Sequence, residues 1–119
     1  MRVGLGVVLG AILICGPSGP AAAQPADGAG IVNSRCNVCH ADPNSAPSLA
    51  GVAGRAIASS TFSGYSDALK AHGKDVWSDA NLDAFLTDSQ AFANGSWMTY
   101  NEPDPKARAA VIAYLKTLK

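Results

Sequence analysis

The hexapeptide Arg35-Cys36-Asn37-Val38-Cys39-His40 (RCNVCH) separates two cysteines by two residues and places a histidine directly after the second. Four kinds of site use cysteines at this spacing: a disulfide, half of a zinc centre, a thioredoxin-type redox pair and a covalent haem attachment. A thioredoxin-type pair requires β-α-β surroundings, and residues 27–34 lack the β-branched alternation of a strand. A disulfide is compatible with an exported chain, but it leaves His40 without a role.

Haem attachment is the use of this motif that employs all three side chains. Two thiols one helical turn apart can add to two vinyl groups at one porphyrin edge, and the adjacent histidine then becomes a ligand of the iron. A structural zinc centre needs four ligands, typically in two separated pairs, and residues 24–119 contain no second pair. The sequence therefore predicts one haem c, bound through Cys36 and Cys39 with His40 as the proximal ligand.

The first 23 residues have the layout of a secretory signal peptide. Arg2 supplies a positive charge, residues 3–16 form an uncharged apolar run, and alternating small residues up to Ala23 fit a cleavage site. We expect cleavage near Ala23 and a periplasmic location, and we assign Cys15 no part in haem binding. An uncleaved membrane anchor is the alternative, which the prolines that interrupt the run disfavour.

Residues 24–119 are short enough to form one domain. Removal of the signal segment takes away Arg2 and leaves eight basic against nine acidic residues. This balance argues against a nucleic acid or an anionic membrane surface as a partner. A domain of this size buries a small core, so a bound porphyrin would supply apolar mass that the chain lacks.

Helical periodicity indicates an all-α fold of four to five short helices and long loops. Asp104 and Pro105 are typical of an N-cap and a first helical residue, and Ser78 is typical of a second N-cap. A shorter helix is expected over residues 66–72, ending at Gly73. The predicted core positions, including two on an N-terminal helix that leads into the cysteine motif, are Ile31, Val32, Leu82, Phe85, Leu86, Ala107, Val111, Tyr114, Leu115 and Leu118.

Met98 is the methionine that remains as a candidate sixth ligand of the iron once the signal segment is removed. It lies in the stretch NGSWMTY, after a glycine that could turn a loop across a flat cofactor. The alternative is a core methionine packed against Trp97 and Tyr100, a common sulfur–aromatic arrangement. His72 or an open position are the other choices for the sixth coordination site.

Six stretches occur in the order found in the class I cytochromes c, the small soluble mitochondrial and bacterial type. They are CNVCH, APSLAGVAGR, FSGYSDALK, WSDANLDAFL, WMTY and RAAVIAYLK, and together they spread over most of residues 24–119. The chain resembles this family over that whole length. The resemblance implies a small cytochrome c fold around one haem, with Cys36 and Cys39 as the thioether links, His40 as the proximal ligand and Met98 as the distal ligand.

The resemblance also implies roles for residues around these ligands. Pro47 matches the proline whose backbone carbonyl holds the proximal imidazole, a contact of the kind that tunes a metal. Tyr65 and Trp77 match side chains that hydrogen-bond a haem propionate, and Arg55 matches the arginine near that carboxylate. Ordinary core packing is the alternative role for Trp77.

The sequence departs from the family pattern around Met98. Phe85 stands where many members carry a tyrosine whose hydroxyl approaches the methionine sulfur. Asn94 and Trp97 replace a frequent proline and lysine, and Glu102 stands where a glycine is frequent. From the substitutions at Asn94, Trp97 and Glu102 we expect a ligand loop that is less rigid than usual, and from Phe85 a shifted reduction potential.

The resemblance implies a monomeric electron carrier and not an enzyme, because iron with two protein ligands has no free position for a substrate. The expected partners are redox proteins: a donor such as a quinol-oxidising complex or a dehydrogenase, and an acceptor such as a terminal oxidase or reductase. A membrane is a partner only if the signal segment is not cleaved. Many family members dock through lysines around the haem edge, but here no lysine lies beside the cysteine motif or Met98, so we expect Trp97 at the contact surface.

Two other functions remain as alternatives. One is a haem module that binds nitric oxide or carbon monoxide when a labile Met98 detaches, which the altered loop favours. The other is a haem enzyme such as a peroxidase, which would need an open distal side with His72 as its acid–base group.

Overall fold

The computed structural model describes Gly16 and residues 27–119. Within this part of the chain the fold is all-α, as predicted, and the sole strand-like pairing is an antiparallel bridge between Ala56 and Val76. None of the described helices is both long enough and apolar enough to cross a lipid bilayer. The predicted signal segment, residues 1–23, and its cleavage site lie outside the described residues, apart from Gly16.

The helical segments are α1 (Gly28–Ile31), a π-helical turn (Val32–Cys36), α2 (Asn37–His40), α3 (Asp67–Lys70), α4 (Asp79–Thr87), α5 (Ser89–Phe92) and α6 (Pro105–Leu115). The first three are continuous, so one N-terminal helical segment leads into the cysteine motif, as predicted. α3 is shorter than the predicted helix over residues 66–72, because the backbone N–H groups of His72 and Gly73 bond three residues back and tighten the chain into turns. α5 was not predicted.

Short polar side chains begin the helices after the cysteine motif. Ser78 accepts a hydrogen bond from the Asn81 N–H at 3.1 Å, and Asp104 accepts one from the Lys106 N–H at 2.9 Å, as predicted for both caps. Ser66 caps α3 in the same way, with its hydroxyl 3.2 Å from the Leu69 nitrogen. These caps satisfy backbone donors that have no partner inside the helix.

The predicted core positions on α4 and α6 are buried except for Tyr114, and the same core takes in residues from the loops. Tyr114 and Leu118 are half-buried and pack against its edge. The larger apolar residues buried in this core are Val32, Val52, Ile57, Trp77, Leu82, Phe85, Leu86, Val111, Ile112 and Leu115.

Gly28 is buried where α1 packs against α6. A Cβ added at this position would overlap the Ala110 carbonyl group and lie 3.1 Å from the Cβ of Tyr114. We expect Gly28→Ala to lower the free energy of unfolding by about 1–3 kcal/mol, because the extra methyl group forces the two helices apart. Denaturant unfolding of the haem-loaded protein measures this change.

Gly30, in the same helix, provides the matched control. A Cβ at Gly30 would lie 2.6 Å from the Asp27 carboxylate, at the far end of a flexible side chain that can rotate away. Alanine also favours a helix over glycine by up to about 1 kcal/mol, so Gly30→Ala is expected to keep or raise the stability. Equal losses for the two variants would contradict the importance of close contact between α1 and α6.

Candidate functional site

A cavity of about 400 Å³ opens between the N-terminal helical segment, the loops and helices α4 and α6. This volume lies in the usual range for small-molecule and cofactor sites. Each residue that the sequence predicts for the site lines this cavity. These residues are Cys36, Cys39, His40, Pro47, Arg55, Tyr65, Trp77 and Met98.

The wall of the cavity is largely apolar. Arg35 and Arg55 are the charged side chains among the described residues that line it, and no lysine does. Such a wall suits a flat hydrophobic ring that carries a small number of acidic groups. The aliphatic and phenyl side chains that form it are Leu49, Val52, Phe62, Leu69, Leu82, Phe85, Leu86, Val111 and Leu115.

Cys36 lies in the wall of the cavity, and Cys39 lies at its rim. Cys36 ends the π-helical turn and is half-buried, whereas Cys39 lies in α2 and is exposed. Their sulfur atoms are not joined to each other in the structure. Burial raises the pKa of the Cys36 thiol, against a smaller lowering by the positive charge of Arg35. Within residues 27–119, no group of three or more histidine, cysteine or acidic side chains is arranged to hold a metal ion.

The orientation of His40 is fixed by the loop that follows it. Its Nδ1–H donates a hydrogen bond of 2.7 Å to the backbone carbonyl of Pro47, which leaves the lone pair of Nε2 free. Asp42 shapes the intervening loop, because its carboxylate accepts hydrogen bonds from the Ser45 hydroxyl at 2.7 Å and the Asn44 N–H at 3.0 Å. These bonds lower the pKa of the Asp42 carboxyl.

Arg55 carries the clearest sign of a missing acidic partner. One of its terminal nitrogens donates to the Ala50 carbonyl at 3.2 Å, but its Nε is buried and has no hydrogen-bond partner among the described residues. A buried donor without an acceptor typically costs about 1–3 kcal/mol. Tyr65, whose hydroxyl is hydrogen-bonded to Ser60, and the buried Trp77 line the same cavity. A carboxylate of a bound ligand would satisfy Arg55, so these residues fit a haem and its propionates.

Glu102 has a role that the sequence did not reveal. Its carboxylate is buried and lies 2.7 Å from the guanidinium of Arg35, next to the cysteine motif. Contacts with Tyr100 and Glu102 raise the pKa of Arg35. Arg108 donates to the Glu102 carbonyl at 2.8 Å and to Asp83 at 2.8 Å, so the segment after Met98 is tied to α4 and α6.

Met98 is half-buried and lies on a segment held by two neighbouring side chains of α5. The Ser89 hydroxyl donates to the Met98 carbonyl at 2.8 Å, and the Gln90 amide donates to the Ser96 carbonyl at 2.8 Å. The expectation of a loop less rigid than usual for the family stays a prediction. Its backbone accepts these side-chain hydrogen bonds from α5.

Trp97 lines the cavity, whereas His72 lies outside it. Trp97 stands at the mouth of the cavity with 79% of its surface exposed. His72 does not line the cavity. Its ring stacks on Phe92 with the ring centroids 4.5 Å apart, and it lies 3.7 Å from Asp75. The residue that the enzyme alternative requires is therefore outside the site.

Comparison with known proteins finds relatives over most of the chain. The chain is 36% identical to cytochrome c2 of Rhodopila globiformis over 101 residues, which cover 81% of this chain and 94% of that protein. It is 34% identical to cytochrome c2 of Rhodomicrobium vannielii over 116 residues, which cover 92% and 91% of the two chains. No protein-family model matches.

A solved structure with the same fold is that of ferricytochrome c2 from Rhodopseudomonas palustris. It superposes on this chain with a TM-score of 0.69 at 33% sequence identity. The superposition covers 77% of this chain and 96% of that protein.

Proposed function

The chain belongs to the class I c-type cytochromes, and on this premise we propose that it is a single-haem electron carrier with His40 and Met98 as the iron ligands. The observation that supports this proposal most strongly is the shared cavity, which two thiols, one imidazole and one thioether all line. When bound, the haem supplies reversible one-electron exchange between ferric and ferrous iron.

Covalent attachment and the proximal ligand are assigned to the cysteine motif. The sulfur atoms of Cys36 and Cys39 would hold the ring by two thioether bonds, which would retain the cofactor in both oxidation states. His40 would be the proximal ligand of the iron, because its Nδ1–H is on the Pro47 carbonyl at 2.7 Å and Nε2 is the nitrogen left to bind a metal. That hydrogen bond fixes the tautomer and makes the imidazole a stronger electron donor to the iron.

The remaining site residues tune the reduction potential and bind the acidic groups of the ring. A thioether from Met98 favours the ferrous state and raises the potential. Arg55, whose buried Nε has no partner among the described residues, would neutralise a propionate, and Tyr65 and Trp77 would donate hydrogen bonds to it. The apolar wall keeps water away from the iron, which also favours the less charged ferrous form.

The partners are redox proteins, which exchange electrons at the exposed rim of the cavity. Val38, exposed by 74%, lies between the two predicted thioether cysteines, and Trp97, exposed by 79%, lines the cavity beside Met98. The described lysines lie elsewhere, because none lines the cavity. Docking therefore depends on apolar contact more than on charge, and electron-transfer rates should vary weakly with ionic strength.

Trp97→Ala tests the contact surface. We expect the second-order rate of electron transfer with a purified quinol-oxidising complex to fall by about fivefold, because an exposed tryptophan at an interface commonly contributes more than about 1 kcal/mol. Stopped-flow absorbance of the haem measures this rate.

Val76→Ala is the matched control, because Val76 is exposed by 47% and does not line the cavity. Its electron-transfer rate is expected to stay at the wild-type value. An unchanged rate for Trp97→Ala with every partner tested would contradict docking through Trp97.

The proposed location is the periplasm, after cleavage of the signal segment near Ala23, and the proposed state is a monomer. Mass spectrometry of the protein purified from the periplasm tests both the cleavage point and the added mass of one haem. A mature chain that retains residues 1–23 would instead support a membrane-anchored form.

The ligand proposal is tested by an optical spectrum of the oxidised and reduced protein, with and without carbon monoxide. A weak near-infrared band in the oxidised protein and no response of the reduced protein to carbon monoxide would support binding of iron by Met98. Absence of the band together with rapid carbon monoxide binding would contradict it and favour a ligand-binding module.

A further inference from the structure

We infer that Gln90 is a positioning residue for Met98, whose side-chain amide sets how readily the thioether leaves the iron. Gln90 does not line the cavity and touches no predicted ligand atom, so it would act through the backbone of the Met98 loop. The inference rests on the proposed binding of iron by Met98, and it adds a residue that controls the lifetime of that bond.

Both the nitrogen and the oxygen of the Gln90 side-chain amide form hydrogen bonds with the Met98 loop. Its Nε2 donates to the Ser96 carbonyl at 2.8 Å and to the Met98 carbonyl at 3.2 Å, and its Oε1 accepts from the Gly95 N–H at 3.1 Å. Gly95 has a φ of +98°, a conformation that residues with a Cβ rarely adopt. One side chain therefore spans the tight turn at Gly95 and reaches the ligand residue itself.

Ser89 completes the attachment from the buried side. Its side chain is inaccessible to solvent, and its hydroxyl donates to the Met98 carbonyl at 2.8 Å while accepting from the Tyr100 N–H at 2.8 Å. The Ser89 N–H also donates to the Tyr100 carbonyl at 3.0 Å. The Met98 carbonyl thus accepts hydrogen bonds from two consecutive residues of α5.

The short helix α5, which makes these contacts, is itself held in place by an N-terminal cap and by aromatic packing. Its first turn is capped by Asp88, whose carboxylate accepts from the Gln90 and Ala91 N–H groups at 3.0 and 3.1 Å. Its last residue, Phe92, packs with its ring centroid 5.8 Å from that of Trp77 and 5.7 Å from that of Phe85. Opening of the loop must therefore break hydrogen bonds to α5, because the helix itself is tied into the core.

Of the two α5 residues that hold the loop, Gln90 can be substituted with less disturbance of the packing than Ser89. Its side chain is half-buried, whereas Ser89 is fully enclosed, so loss of the Gln90 amide leaves no buried void. A ligand such as imidazole binds ferric iron only in molecules whose loop has opened. Its apparent affinity is the intrinsic affinity multiplied by the open fraction, so a residue that closes the loop lowers that affinity.

The experiment measures imidazole binding to the oxidised, haem-loaded protein by loss of the near-infrared methionine band. We expect Gln90→Ala to increase the apparent imidazole affinity by about tenfold, because opening no longer breaks the hydrogen bonds of the amide. Gln90→Glu is a second variant that keeps an acceptor for the Gly95 N–H but loses both donated bonds. It too is expected to bind imidazole more tightly than the wild type.

Asn81→Ala is the matched control. Asn81 is also half-buried, and its side-chain amide donates to a backbone carbonyl, that of Val76, at 2.8 Å. We expect this variant to lose a similar amount of global stability, measured by far-ultraviolet circular dichroism, without a change in imidazole affinity. A purely structural role of Gln90 would make the two alanine variants alike in both measurements.

The outcomes separate this inference from the proposed function. If the wild-type protein has no methionine band, binding of iron by Met98 is wrong and the inference falls with it. If the wild-type band is present and both Gln90 variants bind imidazole as the wild type does, the inference alone is wrong. The inference is supported if the wild-type protein has the methionine band and imidazole binds more tightly to both Gln90 variants but not to Asn81→Ala.

Discussion

Replacement of both Cys36 and Cys39 by serine is expected to give a chain that retains no covalently bound haem and does not reach a stable fold. Without the ring, the apolar wall of the cavity faces water. The chain then loses a large part of the apolar burial on which a domain of this size depends for its stability. Haem staining after denaturing electrophoresis and far-ultraviolet circular dichroism measure the two effects.

Cys15→Ser is the control for this double substitution. Cys15 lies in the predicted signal segment, so the mature protein should carry its full complement of haem and fold normally. Covalent haem in the double serine variant, or its loss in Cys15→Ser, would contradict the assignment of the thioether links to the RCNVCH motif.

Met98→Ala is expected to abolish the near-infrared band, open the sixth coordination position to carbon monoxide and lower the reduction potential. The fall should be on the order of 0.1 V, within the span of about 0.8 V over which axial ligands set haem potentials. Its cause is the loss of a thioether, which stabilises ferrous iron, together with the entry of water at the vacated position. Spectroelectrochemical titration measures the potential, and absorbance after addition of carbon monoxide measures the open position.

Trp97→Ala is the matched control for Met98→Ala, since it alters the preceding residue, which is exposed and is not a proposed ligand. It should keep the band and remain closed to carbon monoxide. A band that survives in Met98→Ala would contradict the ligand assignment, and Met98 would then be a core methionine.

The features that the sequence predicted correctly are those coded by neighbouring residues. The caps at Ser78 and Asp104 depend on hydrogen bonds to a backbone two or three residues ahead, so a short pattern is enough to identify them. The apolar spacing of α4 and α6 likewise follows from helix geometry alone. The shared cavity, by contrast, was expected from the resemblance to a family, because it joins residues from distant parts of the chain.

The features that were missed depend on tertiary structure or on conformations without a periodic signal. α5 has four residues, too few for an apolar stripe, so Ser89 and Gln90 gave no sign that they hold the Met98 loop. The ion pair between Arg35 and Glu102 joins residues 67 positions apart. Glu102 was noticed as a departure from the family pattern, but its partner became visible only in the folded chain. The stacking of His72 on Phe92 likewise requires the packed chain and has no signal in the sequence.

The unequal positions of the two tryptophans give the molecule internal fluorescence reporters. Trp77 is 7% exposed in the cavity wall and Trp97 is 79% exposed at its mouth, and both line the space assigned to the haem. A porphyrin absorbs the light that nearby tryptophans emit, so both residues are quenched in the closed protein. Energy transfer to a porphyrin acts over distances comparable to the size of the domain, so emission from both residues should rise only when the domain unfolds. Fluorescence can therefore follow unfolding of the whole domain without an added dye, while opening of the ligand loop alone would leave it unchanged.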